Sequence, residues 1–209
     1  MEESGKNAIE LHSTNTSFTL TSAYGNLELG TSDVRIISAK AIAVEDRFAL
    51  MCEPPQCPNY GQSMNCPPHA MKPGEFRILL QHYSHALVFK IDVPTQILLT
   101  DERRDVARQI HELAAAIETF ARNSGYCNAK GIAAGSCKPL FCDNYVKCSA
   151  LEESGTCRFP DLARPSMSGL GINFFELSRK LNWQIEKITR DSDPDTVPQG
   201  MMAGIVLLS

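Results

Sequence analysis

The 209-residue chain lacks the sequence features of several large protein classes. It has no basic block and a formal net charge of −4, so nucleic acid and anionic membrane surfaces are poor candidate partners. Its longest apolar run, MMAGIVLLS, is far shorter than the roughly 20 residues that span a bilayer. Its N-terminus, MEESGKNAIE, has neither the basic nor the apolar region of a secretory signal. We therefore expect a soluble cytoplasmic protein.

The chain also lacks the common motifs of nucleotide binding and hydrolase chemistry. No GxGxxG, P-loop, HExxH or GxSxG-type pattern is present. What it does contain is eight cysteines, which is a high number for a cytoplasmic protein. A reducing compartment disfavours disulfides, and a chain of this size can bury a core without them. Seven of the cysteines lie in two short segments rich in proline and glycine, which favours metal binding over core packing.

The order of apolar patterns predicts an α/β fold in a single domain, with a mixed β-sheet, helices packed on it and two cysteine-rich metal-binding loops near one edge. Residues 1–30 are polar and should form an irregular arm with one edge strand at most, which leaves residues 31–209 as the metal-binding domain. We expect strands within 34–52, 85–93, 126–137, 184–190 and 201–209, and helices within 73–84, 100–125 and 169–183. On the longest helix, an apolar stripe from Val106 to Phe120 should face the core and His111 should face solvent.

The second cysteine segment has the pattern Cys137-x4-Cys142-x5-Cys148-x8-Cys157. Four soft thiolate ligands can bind either zinc or an iron–sulfur cluster. Zinc sites usually take their cysteines from tight C-x2-C turns, and neither segment contains one. Because a [4Fe–4S] cluster is wider than a single ion, the wide spacing favours the cluster, with zinc as the alternative.

The first segment, Cys52-x4-Cys57-x8-Cys66, has only three cysteines. Three thiolates are enough for three irons of a [4Fe–4S] cluster, so the fourth iron either takes a ligand from elsewhere or stays open. His69 is one candidate ligand, although a surface role is its simpler interpretation. Cys127 is another, although its place in an apparent strand favours a buried, inert thiol. We therefore expect an open iron at this site.

Three stretches of sequence resemble a known family. CPNYG…NCPP, PGEFRILLQHYSHALV and AAGSCKPLFC…C…CRFPDLARPSM…GI are similar to a cysteine-rich family of unknown function, labelled predicted metal-binding proteins and found mainly in anaerobic prokaryotes. The resemblance runs from about Cys52 to Asn173. It implies seven metal ligands, namely Cys52, Cys57, Cys66, Cys137, Cys142, Cys148 and Cys157. It assigns no ligand role to Cys127 and no reaction to the protein.

Two arginines lie next to the second segment. Arg158 and Arg164 flank the proline-containing turn of CRFPDLARPSM. Either guanidinium can offset the negative charge of a cluster or bind an anionic substrate, so both are candidate cofactor-binding residues.

These patterns leave three functions open. The first is an iron–sulfur protein with two [4Fe–4S] clusters serving redox or reductive chemistry, in which the four-cysteine cluster relays electrons and the three-cysteine cluster binds substrate. Its partners would be a redox protein or a small molecule. The second is non-redox Lewis-acid chemistry, such as dehydration or sulfur transfer, at the open iron. The third is a binding module whose loops are stabilised by zinc.

Overall fold

The protein is described by a computed structural model that covers residues 10–14, 17–21 and 28–209. The strands are β1 (Glu10–Thr14), β2 (Ser17–Thr21), β3 (Glu28–Gly30), β4 (Asp33–Ser38), β5 (His85–Pro94), β6 (Lys130–Ile132) and β7 (Gln199–Leu208). The helices are α1 (Asp46–Leu50), α2 (Pro73–Leu80), α3 (Thr95–Leu99), α4 (Arg103–Asn123), α5 (Lys138–Phe141) and α6 (Phe174–Lys180). No helix within these described ranges is long and apolar enough to cross a membrane.

The main sheet has the strand order β4-β5-β7-β6, and its strands pair antiparallel. Its centre is the ten-residue pairing of β5 with β7. Gly204 of β7 lies opposite Phe89, and a Cβ at Gly204 would approach the Phe89 ring to 2.3 Å, so the ring uses the space that a side chain would fill. Beyond β6, a parallel bridge joins Ala133 to Ser166 at the sheet edge.

Both faces of the main sheet are covered. On β5, Ala86 and Val88 belong to one hydrophobic cluster, whereas Leu87 and Phe89 belong to another. This alternation follows from the two-residue period of a strand. The first cluster includes buried residues of α2 and α6, and the second includes the buried side of α4. A strand covered on both faces reads as a continuous apolar run, which is why 85–93 predicts a central strand.

The predicted α/β class and single domain are confirmed, and several details differ. The main sheet is antiparallel apart from the bridge at its edge, so it is mixed only there. The strand predicted at 184–190 does not form. The predicted arm, 1–30, contains the three antiparallel strands β1, β2 and β3, which is more regular structure than expected. The rest of the arm lies outside the described residues, and the proposed boundary at residue 30 stays a prediction.

Helix α4 departs from the predicted orientation at two positions. Ile110, Leu113 and Ile117 face the core as expected, but Phe120 is 48% exposed. The prediction that His111 faces solvent is wrong, because its side chain is completely buried. Its Nδ1 accepts a hydrogen bond of 3.1 Å from the Arg164 backbone N–H, and its ring lies edge-on to Phe141. The helix therefore has a second buried side, which faces the cysteine-rich part of the chain.

Burial of His111 makes the stability of the fold depend on pH. Burial disfavours the imidazolium and lowers the pKa of His111 to about 4, whereas an unfolded histidine titrates near 6.5. Between these values the unfolded chain binds a proton that the folded chain does not. The free energy of unfolding should therefore fall by up to about 3 kcal/mol from this residue as pH drops from about 6.5 to 4.

The test is urea unfolding at a series of pH values. The variant His111→Gln should be less stable at pH 7, yet lose less stability on acidification than the unmodified protein. The matched control is His82→Gln, since His82 is exposed. Equal pH dependence in His111→Gln and the unmodified protein would contradict the prediction.

Candidate metal centre

The four cysteines of the second segment line one cavity. Its volume is about 210 Å³, and Cys137, Cys142, Cys148 and Cys157 all contribute to its wall. A water molecule needs only about 10–15 Å³ of such volume, so the space exceeds what one ion requires. All eight cysteines of the chain are free thiols. Within the described residues, no three cysteine, histidine, aspartate or glutamate side chains are grouped to bind a single metal ion.

Short turns place these four cysteines around the cavity. Cys137 and Cys142 flank the single-turn helix α5, and Cys148 precedes a 3-10 turn. Lys138 fixes the connection, because its Nζ donates to the carbonyl oxygens of Cys142 at 2.8 Å and Tyr145 at 2.6 Å. The ammonium group is thus held beside the loop that carries the thiols.

Apolar rings form part of the same wall. Phe141 and Phe159 line the cavity and pack against each other with their ring centres 5.8 Å apart. Arg158 lies at the exposed rim, where its guanidinium stacks 4.2 Å from the centre of the Tyr145 ring and donates to the Lys147 carbonyl. This arrangement partly excludes water on one side of the cavity and adds a positive charge at its opening.

The three cysteines of the first segment also lie near one another. Cys52 and Cys57 are half-buried, and Cys66 is buried. Burial raises the pKa of the Cys52 thiol, the Ser168 hydroxyl at 3.7 Å lowers it, and the thiols of Cys57 and Cys66 raise it further. Cys52 therefore lies near both other thiols of the segment, and binding to a cluster would remove the repulsion that its thiolate meets from them.

The two cysteine segments meet at Asn65. Its side-chain amide donates to Cys137 Sγ at 3.6 Å, and its carbonyl accepts from the Ser166 N–H at 3.2 Å. Nearby, a Cβ at Gly169 would approach the Pro67 ring to 2.9 Å, so glycine allows the close contact. Ser63, Met64 and Asn65 of the first segment complete the wall of the four-cysteine cavity.

The pKa of the Cys137 thiol also indicates that the two cysteine segments lie close together. Burial raises the pKa of the Cys137 thiol, whereas Asn65 and Ser63 act in the opposite direction. The Ser63 hydroxyl lies close enough for this effect without a hydrogen bond of normal geometry. The thiols of Cys66 and Cys157 raise the pKa of Cys137 further, so Cys137 lies near members of both segments.

The pKa of the Cys142 thiol is also raised. Burial raises the pKa of its thiol first, and the Cys157 and Cys148 thiols raise it further, while Arg158 and Lys138 lower it. Thiols with raised pKa values stay protonated at neutral pH. A metal would have to displace these protons, which makes its binding weaker in acid.

Arg164 contacts protein groups on all sides. Its Nε donates to the buried Glu118 carboxylate at 2.8 Å, and its Nη1 donates to the carbonyl oxygens of Pro160 and Ala163, both at 3.0 Å. Glu118 also accepts from the Gly131 N–H at 2.6 Å and pairs with Arg122 at 2.6 Å. Arg164 therefore attaches the loop after Cys157 to α4 and β6. The predicted contact of Arg158 or Arg164 with a cofactor stays a prediction.

The two candidates for a fourth ligand are both exposed. His69 lies in the loop after Cys66. Cys127 lies in a turn after α4, and the expectation of a buried thiol in a strand is wrong, because the chain does not enter β6 until Lys130. Sequence reasoning also missed Ser63, Asn65 and Ser168. Asn65 and Ser168 contact cysteines that are distant in sequence, and Ser63 lines the cavity of the other segment. No local sequence pattern indicates such contacts.

Comparison with known proteins adds one finding. The model of a family described as "Predicted metal-binding protein (DUF2284)" matches residues 35–208, which confirms and extends the resemblance drawn from the cysteine segments. No curated protein matches, and no solved structure matches.

The buried pair of Arg164 and Glu118 provides a test of how the cavity is held in place. Replacing Arg164 by Met leaves a buried carboxylate with one partner fewer, and we expect the free energy of unfolding to fall by about 3 kcal/mol. The control Arg190→Met changes an exposed arginine and should have little effect. Urea unfolding followed by circular dichroism measures both, and equal stability of the two variants would rule out this role for Arg164.

Proposed function

The chain belongs to the family of predicted metal-binding proteins, and we propose that the metal is iron, held in two [4Fe–4S] clusters. Cys137, Cys142, Cys148 and Cys157 would bind one cluster. Cys52, Cys57 and Cys66 would bind the other, with no protein ligand on its fourth iron. The observation that carries the proposal is the single cavity that all four cysteines of the second segment line.

The shape and chemistry of that cavity support a cluster over one zinc ion. Its donors are four thiols, which are the ligands of [4Fe–4S] clusters in general. They surround a space of about 210 Å³, and they are not drawn together around one point. The rings of Phe141 and Phe159 limit access of water, while Lys138 and Arg158 supply positive charge near the thiols. These features suit an anionic group wider than an ion.

The first segment suits a site that accepts a further ligand. The Cys52 thiol lies near the thiols of Cys57 and Cys66, while the exposed Cys127 thiol donates to the Gly125 carbonyl at 3.7 Å. The side chain of Ser168 approaches this segment, and its hydroxyl lies 3.7 Å from Cys52 Sγ. A hydroxyl there can orient a polar substrate or a thiolate by hydrogen bonding.

The contact between the segments supports a division of roles. A [4Fe–4S] cluster supplies one-electron transfer, and an iron without a protein ligand supplies a position for substrate. Cys66 lies close enough to raise the pKa of the Cys137 thiol, so the two centres would be neighbours. We assign the electron relay to the four-cysteine centre and the substrate site to the three-cysteine centre. The partners would be a redox protein and a small molecule in the cytoplasm, a reducing compartment that disfavours disulfides.

The decisive measurement is the metal content of protein purified without oxygen. We expect a brown protein with about eight irons and an equal amount of acid-labile sulfide per chain. Absorption and electron paramagnetic resonance spectra should report two clusters. A colourless protein with stoichiometric zinc and no iron would refute the proposal and support the zinc-stabilised module.

Cysteine variants then assign the ligands. Replacing both Cys142 and Cys157 by serine should remove about four irons, and replacing Cys57 by serine should weaken or remove the other cluster. The matched control is Cys127→Ser, which should retain the full iron content because Cys127 is exposed in a turn. Loss of a cluster in Cys127→Ser would show that the three-cysteine centre has a fourth protein ligand.

A further inference from the structure

Ser63 is a buried hydroxyl without a hydrogen bond of normal geometry. It is 1% exposed, its Oγ has no such partner among the described residues, and the sulfur atom that it lies near is that of Cys137, whose pKa it lowers. Buried hydroxyls are nearly always hydrogen-bonded, because an unpaired one has lost its hydrogen bonds to water without replacing them. Ser178 shows the usual arrangement of a buried serine. It is equally buried, and its hydroxyl donates to the Phe175 carbonyl at 2.9 Å.

The surroundings of Ser63 indicate what its partner would be. Ser63 belongs to the first cysteine segment, yet it lines the four-cysteine cavity of the second. Asn65 lines the same cavity, and its amide already donates to Cys137 Sγ at 3.6 Å. Two donors from one segment thus face the sulfur atoms of the other. The acceptors that such a cavity would contain, once filled, are thiolate and sulfide sulfur atoms.

The backbone fixes both donors. The Ser63 carbonyl accepts from the Cys66 N–H at 3.2 Å, which closes a tight turn around Met64 and Asn65. The Asn65 carbonyl accepts from the Ser166 N–H at 3.2 Å, which attaches the turn to the segment at the sheet edge. Donors held in this way lose little entropy when an acceptor arrives, so they are prepared for one.

We propose that Ser63 and Asn65 donate hydrogen bonds to sulfur atoms of the cluster in the four-cysteine cavity, so that the first cysteine segment sets the reduction potential of the second centre. This inference rests on the proposed function. Reduction adds a negative charge to a cluster, and hydrogen bonds to its sulfur atoms stabilise that charge. Both residues therefore raise the reduction potential of the relay centre by direct hydrogen bonds.

The test is a redox titration of the cluster-loaded protein, followed by electron paramagnetic resonance. The signal of the four-cysteine cluster is identified by its loss in the double variant Cys142→Ser, Cys157→Ser. Removing both donors, in Ser63→Ala with Asn65→Leu, should shift its reduction equilibrium about tenfold toward the oxidised form, which is about 59 mV for one electron. Each single variant should give a smaller shift in the same direction.

Two further variants separate this role from a structural one. Ser63→Thr keeps the hydroxyl and should retain the original potential. Ser178→Ala removes an equally buried serine hydroxyl on α6 and should leave the potential unchanged. Should the alanine variant fail to bind iron, resonance Raman spectra of the unmodified protein in H₂O and D₂O provide the second measurement. Iron–sulfur stretching bands that shift on exchange support hydrogen bonds to sulfur, and bands that do not shift oppose them.

The outcomes distinguish this inference from the proposed function. Full iron content with unchanged potentials in the double-donor variant overturns the inference and leaves the two-cluster proposal standing. A shift of equal size in Ser178→Ala also overturns it, because the effect would then be general. Protein that contains no iron overturns both.

Discussion

The cysteine-rich half of the molecule depends on the ion pairs and hydrogen bonds of one buried carboxylate, that of Glu118. It lies on α4, and its two oxygens bind Arg164 of the loop after Cys157, the backbone of Gly131 in β6, and Arg122. A buried carboxylate is tolerated only when it is paired and hydrogen-bonded, so the three partners and Glu118 require one another. Helix, edge strand and loop are thereby fixed at one point beside the cavity.

From that point the chain runs along the edge of the main sheet and joins the two cysteine segments. Ser166 bridges to Ala133 on one side and donates to Asn65 on the other. Ser168 then reaches Cys52. Few of these contacts involve apolar area, so the junction is built from directional hydrogen bonds on top of a conventional α/β core. This explains how two irregular loops without strands of their own adopt a defined arrangement.

The sequence predicts the core better than it predicts this junction. The existence of β5, β7 and α4 follows from local patterns of apolar residues, because each buries an apolar side in the core along most of its length. The segment 184–190 has the length of a strand but forms none, and its two isoleucines, Ile185 and Ile188, lie three positions apart, so they do not alternate as on a strand. His111 reads as a polar residue on an amphipathic helix, and only the loop packed over it explains its burial. Likewise, the cysteine pattern predicts two thiol-rich loops. It does not predict the contact of Asn65 with Cys137, because these residues are 72 positions apart in the sequence and meet only in the tertiary structure.

The shared wall of the four-cysteine cavity also has a consequence for biosynthesis. The ribosome makes residues 63–65 well before Cys137, and the Asn65 contact needs Ser166 as well. The complete cavity therefore cannot form until synthesis has passed Ser166, about four-fifths of the way along the chain. A cofactor in this cavity would have to enter late in biosynthesis, when both segments have folded against each other.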